Sequence, residues 1–291
     1  MNFAFYSGCR EMILSRDYEA MITFMKKEGF THYEPLENVY EEPLFESIDD
    51  AKAFRALMEE NGFKCACVSV FVNVYPDAEW AKEKLFACAR TAAALGSPFI
   101  HHTNYVHLEL KEGMPTYDEL IERVEPAVCE VVRYAKSLGV TAIYEPQGMY
   151  FNGIDDFFTL FNRLRSEDGC ENIGICFDFG NTIFADCMPY DFLKEALPYI
   201  KHAHFKDYKF VSGKLYEGRY YTRGGTLIED VEVGAGDMAA EDCMRLLAEG
   251  GYKGVFSTES VPKAGGLDAY SGGAAAIRAA KMYNERLGNV W

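Results

Sequence analysis

Acidic and imidazole side chains follow four apolar or aromatic segments in the second half of the chain. They are Glu145 in AIYEP, Asp178 in ICFDFGN, His202 and His204 in HAHFKD, and Glu259 in VFSTES. A carboxylate among apolar neighbours costs several kcal/mol to bury unless a cation or a metal ion neutralises it. Two Glu, one Asp and one His form a ligand set for a divalent cation. The segments therefore predict a metal site if the fold brings their ends together.

Short strand-like segments alternate with longer helical segments along the whole chain, a rhythm typical of β/α units around a parallel sheet. The predicted strands are Asn2–Tyr6, Thr31–Pro35, Lys64–Val72, Phe99–Asn104, Thr141–Glu145, Ile173–Phe179, Ile200–Lys206 and Gly254–Glu259. The predicted helices include Ile48–Asn61, Trp80–Leu95, Tyr117–Leu138, Asp155–Ser166, Ala239–Glu249 and Asp268–Leu287.

These eight units predict a single α/β domain over residues 1–291, a closed (β/α)8 TIM barrel. A doubly wound open sheet would give a similar pattern, but the sequence lacks the glycine-rich nucleotide-binding motifs that such sheets often carry. In a barrel the active site lies at the carboxyl ends of the strands, where the acidic and imidazole groups stand. The long irregular segment at about 208–237 is expected to be a loop over this face, because loops of this length are usually functional or mobile.

The composition and net charge of the chain make some classes of binding partner unfavourable. The chain is 49% hydrophobic with a formal net charge of −16, which disfavours binding to nucleic acid and to anionic lipid surfaces. No segment has the length of an apolar membrane helix, and the start lacks the pattern of a signal peptide. Nine scattered cysteines are expected to be reduced thiols. We therefore expect a cytoplasmic protein with a small-molecule substrate.

The segments IYEPQG, CFDFGN, HAHFKD and VGAGD…GYKGVFSTE resemble the sugar phosphate isomerase/epimerase family, which has a xylose isomerase-like TIM barrel. The resemblance is best over Thr141–Glu259. It implies one divalent metal ion, Mn²⁺ or Mg²⁺ first and Co²⁺ or Zn²⁺ next, and it selects His204 over His202 as a ligand. The metal ligands that it implies are Glu145, Asp178, His204 and Glu259. Members often form dimers or tetramers, so the resemblance also implies a homo-oligomer.

The intervals between the four implied ligands can be compared with those of the family's branches. The 33 residues from Glu145 to Asp178 and the 26 from Asp178 to His204 resemble the epimerase branch, whereas the 55 from His204 to Glu259 are longer. The extra length falls in the 208–237 segment, where we expect substrate specificity to reside. Many relatives carry a histidine at the position of Asn181, so this residue argues against the exact ketose epimerase activity. Six histidines are too few for the several metals of an endonuclease-type cluster.

Further polar residues near the strand ends are expected to line the substrate pocket: His102, Asn104, Gln147, Asn181, His202, Lys206 and Arg223. Consecutive strand residues face opposite sides, so His101 and His102 cannot both face inward, and the spacing from Asn104 favours His102. The guanidinium of Arg223 suits a planar anion.

Two of these residues have alternative interpretations. His202 is also typical of a histidine buried in the barrel wall, or of one that orients a metal ligand. Lys206 either binds a substrate oxygen or pairs with Asp207 or Glu145.

The function that these features predict is a metal-dependent isomerase or epimerase acting on a small sugar, keto-sugar or cyclitol. Proton transfer through an enediolate would use Glu145 and Glu259 as acid/base groups as well as ligands. The alternative is a metal-dependent dehydratase or lyase, similar to inosose or dehydroshikimate dehydratases or eliminating from a 3-keto sugar. A third hypothesis is a barrel that binds a ligand without turnover.

Overall fold

The computed structural model describes residues 1–104, 113–150, 152–259 and 269–291. The strands are β1 (Asn2–Phe5), β2 (His32–Tyr33), β3 (Leu36–Asn38), β4 (Lys64–Cys65), β5 (Val68–Phe71), β6 (Phe99–His102), β7 (Thr141–Tyr144), β8 (Gly174–Asp178), β9 (Ile200–Phe205), β10 (Tyr208–Phe210), β11 (Arg219–Tyr221), β12 (Leu227–Asp230) and β13 (Val255–Thr258). The helices are α1 (Cys9–Leu14), α2 (Tyr18–Glu28), α3 (Ile48–Glu60), α4 (Ala78–Leu95), α5 (Tyr117–Ser137), α6 (Ile154–Ser166), α7 (Pro189–Ala196), α8 (Ala240–Glu249) and α9 (Ala269–Arg286).

Parallel strands form a curled sheet that closes on itself. β1 pairs with β13 on one side and with β2 on the other. β2 pairs with β4, and β3, which follows β2 in the chain, pairs with β5. From β5 the sheet continues through β6, β7, β8 and β9 back to β13. Helices cover the outside of this sheet, with large apolar side chains between the two layers. The predicted TIM barrel is confirmed.

Two barrel strands are broken, which corrects the predicted strand bounds. The second strand consists of β2 and β3 separated by residues 34–35, and the third consists of β4 and β5 separated by residues 66–67. Pro35 lies in the first break, and a proline has no backbone N–H to donate to a ladder. Residue 34 is thereby placed where the strand changes course inside the barrel.

Three helices, α1, α2 and α7, are additional to the predicted elements. For α2 the signals were present in the sequence. The Asp17 side chain accepts a hydrogen bond from the backbone N–H of Ala20, and Gly29 ends the helix with a φ of +85°. Within the described ranges, no helix combines the length and the hydropathy that crossing a membrane requires. All nine cysteines are free thiols, as expected.

The segment 208–237 is not irregular, and this expectation was wrong. Its strands β10, β12 and β11 form an antiparallel sheet in that order. The sheet covers a small second core that includes Tyr208 and Ile228 and also takes in Phe184 and Met149 from neighbouring segments. The Asp207 carboxylate, directly before β10, accepts hydrogen bonds from three backbone N–H groups between residues 234 and 238. Glycine-rich turns between such short strands concealed the pattern in the sequence.

Candidate active site

The four implied metal ligands converge at one end of the barrel. Glu145 follows β7, Asp178 ends β8, His204 lies in β9 and Glu259 follows β13. These four strands are consecutive in the sheet, and Asp178 is paired with His204 in the register of β8 and β9. One ligand atom from each of the four residues lies within 4.8 Å of the others. The barrel thus brings together the group that the sequence predicted.

The chemistry of this cluster fits a divalent cation. His204 Nδ1 lies 3.2 Å from Glu145 Oε1 and 3.0 Å from Glu259 Oε2. Asp178 Oδ1 accepts hydrogen bonds from the backbone N–H groups of Gly180 (2.7 Å) and Asn181 (2.6 Å). Asp178 Oδ2 is buried and has no hydrogen-bond partner among the described residues. A metal ion would satisfy this oxygen, because a buried polar atom without a partner is costly.

Lys206 lies beside the cluster, two residues after His204 on the same face of the chain. Its ammonium nitrogen is 2.5 Å from Glu259 Oε1 and donates a hydrogen bond to Asn181 Oδ1 at 3.2 Å. The nearest oxygen of Asp178 is 3.9 Å away. The structure therefore pairs Lys206 with Glu259, and neither of the partners considered from the sequence, Asp207 and Glu145, takes this place.

The three carboxylates of the cluster differ in pKa. Burial raises the pKa of Asp178 to about 7; Lys206 opposes this rise, and the charges of the two glutamates add to it. Burial acts in the same direction on Glu145, but the imidazoles of His204 and His101 outweigh it and hold the pKa of Glu145 below its usual range. For Glu259, Lys206 is the main group that overcomes burial and lowers the pKa. Three carboxylates thus meet in one buried cluster, an arrangement that favours a cation between them.

The sequence analysis missed one residue of the site, Glu34, and passed over another, His101, in favour of His102. Glu34 is fully buried in the break between β2 and β3 and contacts both His202 and His204. His101 Nδ1 is 2.8 Å from Ser69 Oγ, and its Nε2 lies 3.4 Å from Glu145 Oε2. Glu34 is the last residue but one of the predicted strand Thr31–Pro35, so a search for carboxylates near strand ends, as at Glu145, would have found it.

The inward-facing histidine of β6 is His101, which corrects the choice of His102. The His102 ring stacks on Tyr144 with 6.2 Å between the centroids, and Tyr144 packs against Phe157 and Phe161 of the helix layer. Register within the sheet decides which of two consecutive residues faces inward. The structure brings His101 to the cluster and leaves His102 outside it.

Replacing His102 by Phe is expected to make the protein more resistant to acid. Burial lowers the pKa of His102 to about 4, so the folded state keeps it neutral while the unfolded chain takes up a proton near pH 6.5. Stability from this residue is present above pH 6.5 and is lost as the pH falls towards 4, by about 3 kcal/mol in total. Urea denaturation at pH 7, 5.5 and 4.5 measures the difference.

The buried ring in His102→Phe keeps the contact with Tyr144, so metal affinity is expected to stay unchanged. His32, whose pKa is likewise lowered to about 4, remains in both proteins and accounts for part of the acid sensitivity that persists. An equally steep loss of stability in both proteins would contradict the assignment of His102 to the core.

The other residues predicted to line the substrate pocket lie at different distances from the cluster. Asn181 is buried beside the cluster, and His202 is hydrogen-bonded inside the barrel to Glu34 and Ser257. The Arg223 guanidinium pairs with Asp156 at 3.2 Å and donates hydrogen bonds to the Tyr117 hydroxyl and to a backbone carbonyl. Arg223 thereby ties the small sheet to the start of α6.

Asn104 and Gln147 lie after β6 and β7, at the same end of the barrel. Asn104 is buried, its side-chain oxygen has no hydrogen-bond partner within the described ranges, and Gln147 is partly exposed. Their assignment to the substrate pocket stays a prediction.

Comparison with known proteins gives a family and several structural neighbours. The profile of the xylose isomerase-like TIM barrel family matches residues 22–282. No curated protein matches the chain. The structure of the IolI protein with a bound zinc atom has a TM-score of 0.72 and 17% identity, covering 98% of this chain and 99% of that one.

Two further neighbours carry the names of enzymes. D-psicose 3-epimerase from Clostridium cellulolyticum H10, solved with D-tagatose, has a TM-score of 0.67 and 17% identity over 97% of this chain and 99% of that one. The probable 3-DHS dehydratase AsbF of petrobactin synthesis, from Bacillus anthracis, has a TM-score of 0.65 and 13% identity over 97% and 99%. At such identities the likeness shows the fold alone, whereas the family profile covers most of the sequence. The chain belongs to the xylose isomerase-like TIM barrel family.

Proposed function

We propose that this protein is a divalent-metal-dependent isomerase or epimerase that acts on a small sugar, keto-sugar or cyclitol. The observation that carries the proposal is the convergence of three carboxylates and one imidazole on a single point, with one buried oxygen of Asp178 left without a hydrogen-bond partner among the described residues. The D-psicose 3-epimerase neighbour, solved with D-tagatose, supports the substrate class.

Glu145, Asp178, His204 and Glu259 would hold the metal ion. When bound, the ion supplies Lewis acidity that polarises a carbonyl and an adjacent hydroxyl of the substrate. Mn²⁺ and Mg²⁺ are the first candidates because carboxylate oxygens dominate the ligand set, and the zinc atom in the IolI structure supports Zn²⁺ as a further candidate.

Glu259 is the better placed of the two glutamates to take a proton from the substrate. Its side chain is 13% exposed, whereas that of Glu145 is 1% exposed, so Glu259 is the one a substrate can reach from the open end of the barrel. Isomerisation needs a proton acceptor next to the carbonyl carbon and a donor that returns the proton. Lys206 and Asn181, both in contact with each other beside Glu259, would bind the substrate oxygens.

Deuterium uptake from D₂O tests this proposal. The Mn²⁺-loaded protein is incubated with ketoses, inososes and 3-keto sugars, and the products are analysed by mass spectrometry and chromatography. We expect a gain of one deuterium in a new epimer or isomer. A Glu259→Gln variant is expected to lose this exchange, because an amide cannot accept the proton, by about 10²- to 10⁴-fold.

A matched control is Glu37→Gln, which neutralises a buried carboxylate that accepts a hydrogen bond from the backbone N–H of Leu44. This variant is expected to exchange deuterium at the unaltered rate. Loss of water from a substrate would instead favour dehydratase activity, since this elimination begins with the same proton abstraction. The AsbF neighbour, a probable dehydratase, is an example with the same fold. Turnover unaffected in Glu259→Gln would contradict both activities at this site.

A further inference from the structure

Glu34 binds four hydrogen-bond donors in the interior of the barrel. Ser69 Oγ donates to its Oε1 at 2.5 Å, and His204 Nε2 lies 3.0 Å from the same oxygen. His202 Nε2 is 2.6 Å from Oε2, which also accepts from the Ser257 hydroxyl. Glu34, His202 and His204 are each at most 1% exposed. A buried carboxylate of this kind fixes the groups around it, because no water competes for its oxygens.

The contact between Glu34 and His204 determines which ring nitrogen of His204 carries a proton. An ionised carboxylate only accepts hydrogen bonds, so the Nε2 of His204 must be the donor. In a neutral imidazole the lone pair then lies on Nδ1. This is the nitrogen that faces Glu145 Oε1 at 3.2 Å and Glu259 Oε2 at 3.0 Å.

We propose that Glu34 is a positioning residue that holds His204 with Nδ1 directed at the metal site. The inference rests on the proposed metal centre and adds a residue outside its ligand set. A carboxylate on the far nitrogen of a metal-bound histidine fixes the ring and raises its basicity, and loss of such a partner typically costs 10- to 100-fold in metal affinity.

The strand geometry supports this role. His202 and His204 lie two residues apart in β9 and therefore face the same side. The break after β2 places Glu34 opposite both imidazoles, with one oxygen for each. Ser69 and Ser257, from β5 and β13, complete the hydrogen bonds of the two oxygens and leave the carboxylate little freedom to rotate.

The first measurement uses the unsubstituted full-length protein loaded with Co²⁺. Protons on a histidine bound to this paramagnetic ion are strongly shifted in the ¹H NMR spectrum, so the imidazole N–H of the bound ring can be observed alone. We expect one shifted, exchangeable N–H signal that persists because its hydrogen bond to Glu34 protects it from solvent. Bound Co²⁺ without a protected N–H signal would overturn the inference without any substitution.

The second measurement is Zn²⁺ affinity by competition titration of the metal-stripped protein. In Glu34→Gln we expect binding 10- to 100-fold weaker and loss of the protected N–H signal in the Co²⁺ form. The matched control is Glu37→Gln, which neutralises a buried carboxylate that accepts a hydrogen bond from Leu44 and lies outside this network, so its affinity should stay near that of the unsubstituted protein.

The outcomes separate this inference from the proposed function. A folded Glu34→Gln protein with unchanged Zn²⁺ affinity and an unchanged N–H signal would overturn the role of Glu34 while leaving the metal centre intact. Equal losses in Glu34→Gln and Glu37→Gln would show a general effect of neutralising a buried carboxylate and would also overturn it. An unsubstituted protein that binds neither Zn²⁺ nor Co²⁺ would overturn the metal centre itself, and the inference with it.

Discussion

Replacing Asp178 by Asn is expected to weaken divalent-metal binding by more than the roughly 100-fold that loss of an outer partner costs, and to abolish turnover. The backbone N–H groups of Gly180 and Asn181 both donate to Asp178 Oδ1. An asparagine must place its carbonyl oxygen there, since only an oxygen can accept these two hydrogen bonds. Its NH₂ group then takes the place of Oδ2 and directs two protons at the metal site, so the substitution repels a cation as well as removing a ligand.

Calorimetric titration with Mn²⁺ and Zn²⁺ measures this effect in a protein whose fold is checked by its melting temperature. Removal of a buried negative charge in a cluster with two glutamates is expected to leave the metal-free protein at least as stable as before. Glu37→Gln serves as the control for neutralising a buried carboxylate elsewhere, and its metal affinity should not change. Tight binding retained in Asp178→Asn would rule Asp178 out as a ligand.

Replacing Gly236 by Ala is expected to destabilise the protein by roughly 3 to 5 kcal/mol. A Cβ atom at this position would overlap the Asp207 carboxylate and lie 2.5 Å from the backbone carbonyl oxygen of Tyr208. Asp207 holds the N–H groups of Gly234, Gly236 and Met238, and hydrogen bonds to a charged group contribute about 1.5 to 3 kcal/mol each. The added methyl group cannot be accommodated without breaking at least one of them.

Urea denaturation measures the loss, and Gly62→Ala is the matched control. Gly62 has a φ of +88°, and among the described residues beyond its chain neighbours no atom comes within 4 Å of the place a methyl group would take. Alanine there costs only the left-handed backbone conformation, about 1 to 2 kcal/mol. Because Asp207 follows Lys206, we also expect Gly236→Ala to raise KM through displacement of the ammonium group. Equal stabilities of the two variants would contradict the steric argument.

The sequence by itself predicted the barrel and the three carboxylates of the proposed metal centre. Apolar segments and the turn residues between helices and strands are local signals, and they were enough to locate Glu145, Asp178 and Glu259 at strand ends. The barrel then brings these ends together, because all its strands run parallel and share one carboxyl end. His204 required in addition the resemblance to the family, since His202 lies on the same face of β9.

Only the tertiary structure decided which partners these residues have. The Glu34–His204 contact joins residues 170 positions apart, and the choice of His101 over His102 depends on how β6 is registered against its neighbours. A shift of one residue reverses the face of every side chain in a strand, and no local pattern in FIHH records which face is inward. Lys206 likewise contacts Glu259 because closure of the barrel brings their strands together. Side-chain identity at a strand end is local information, whereas a hydrogen-bond partner across the barrel is set by packing of the whole sheet.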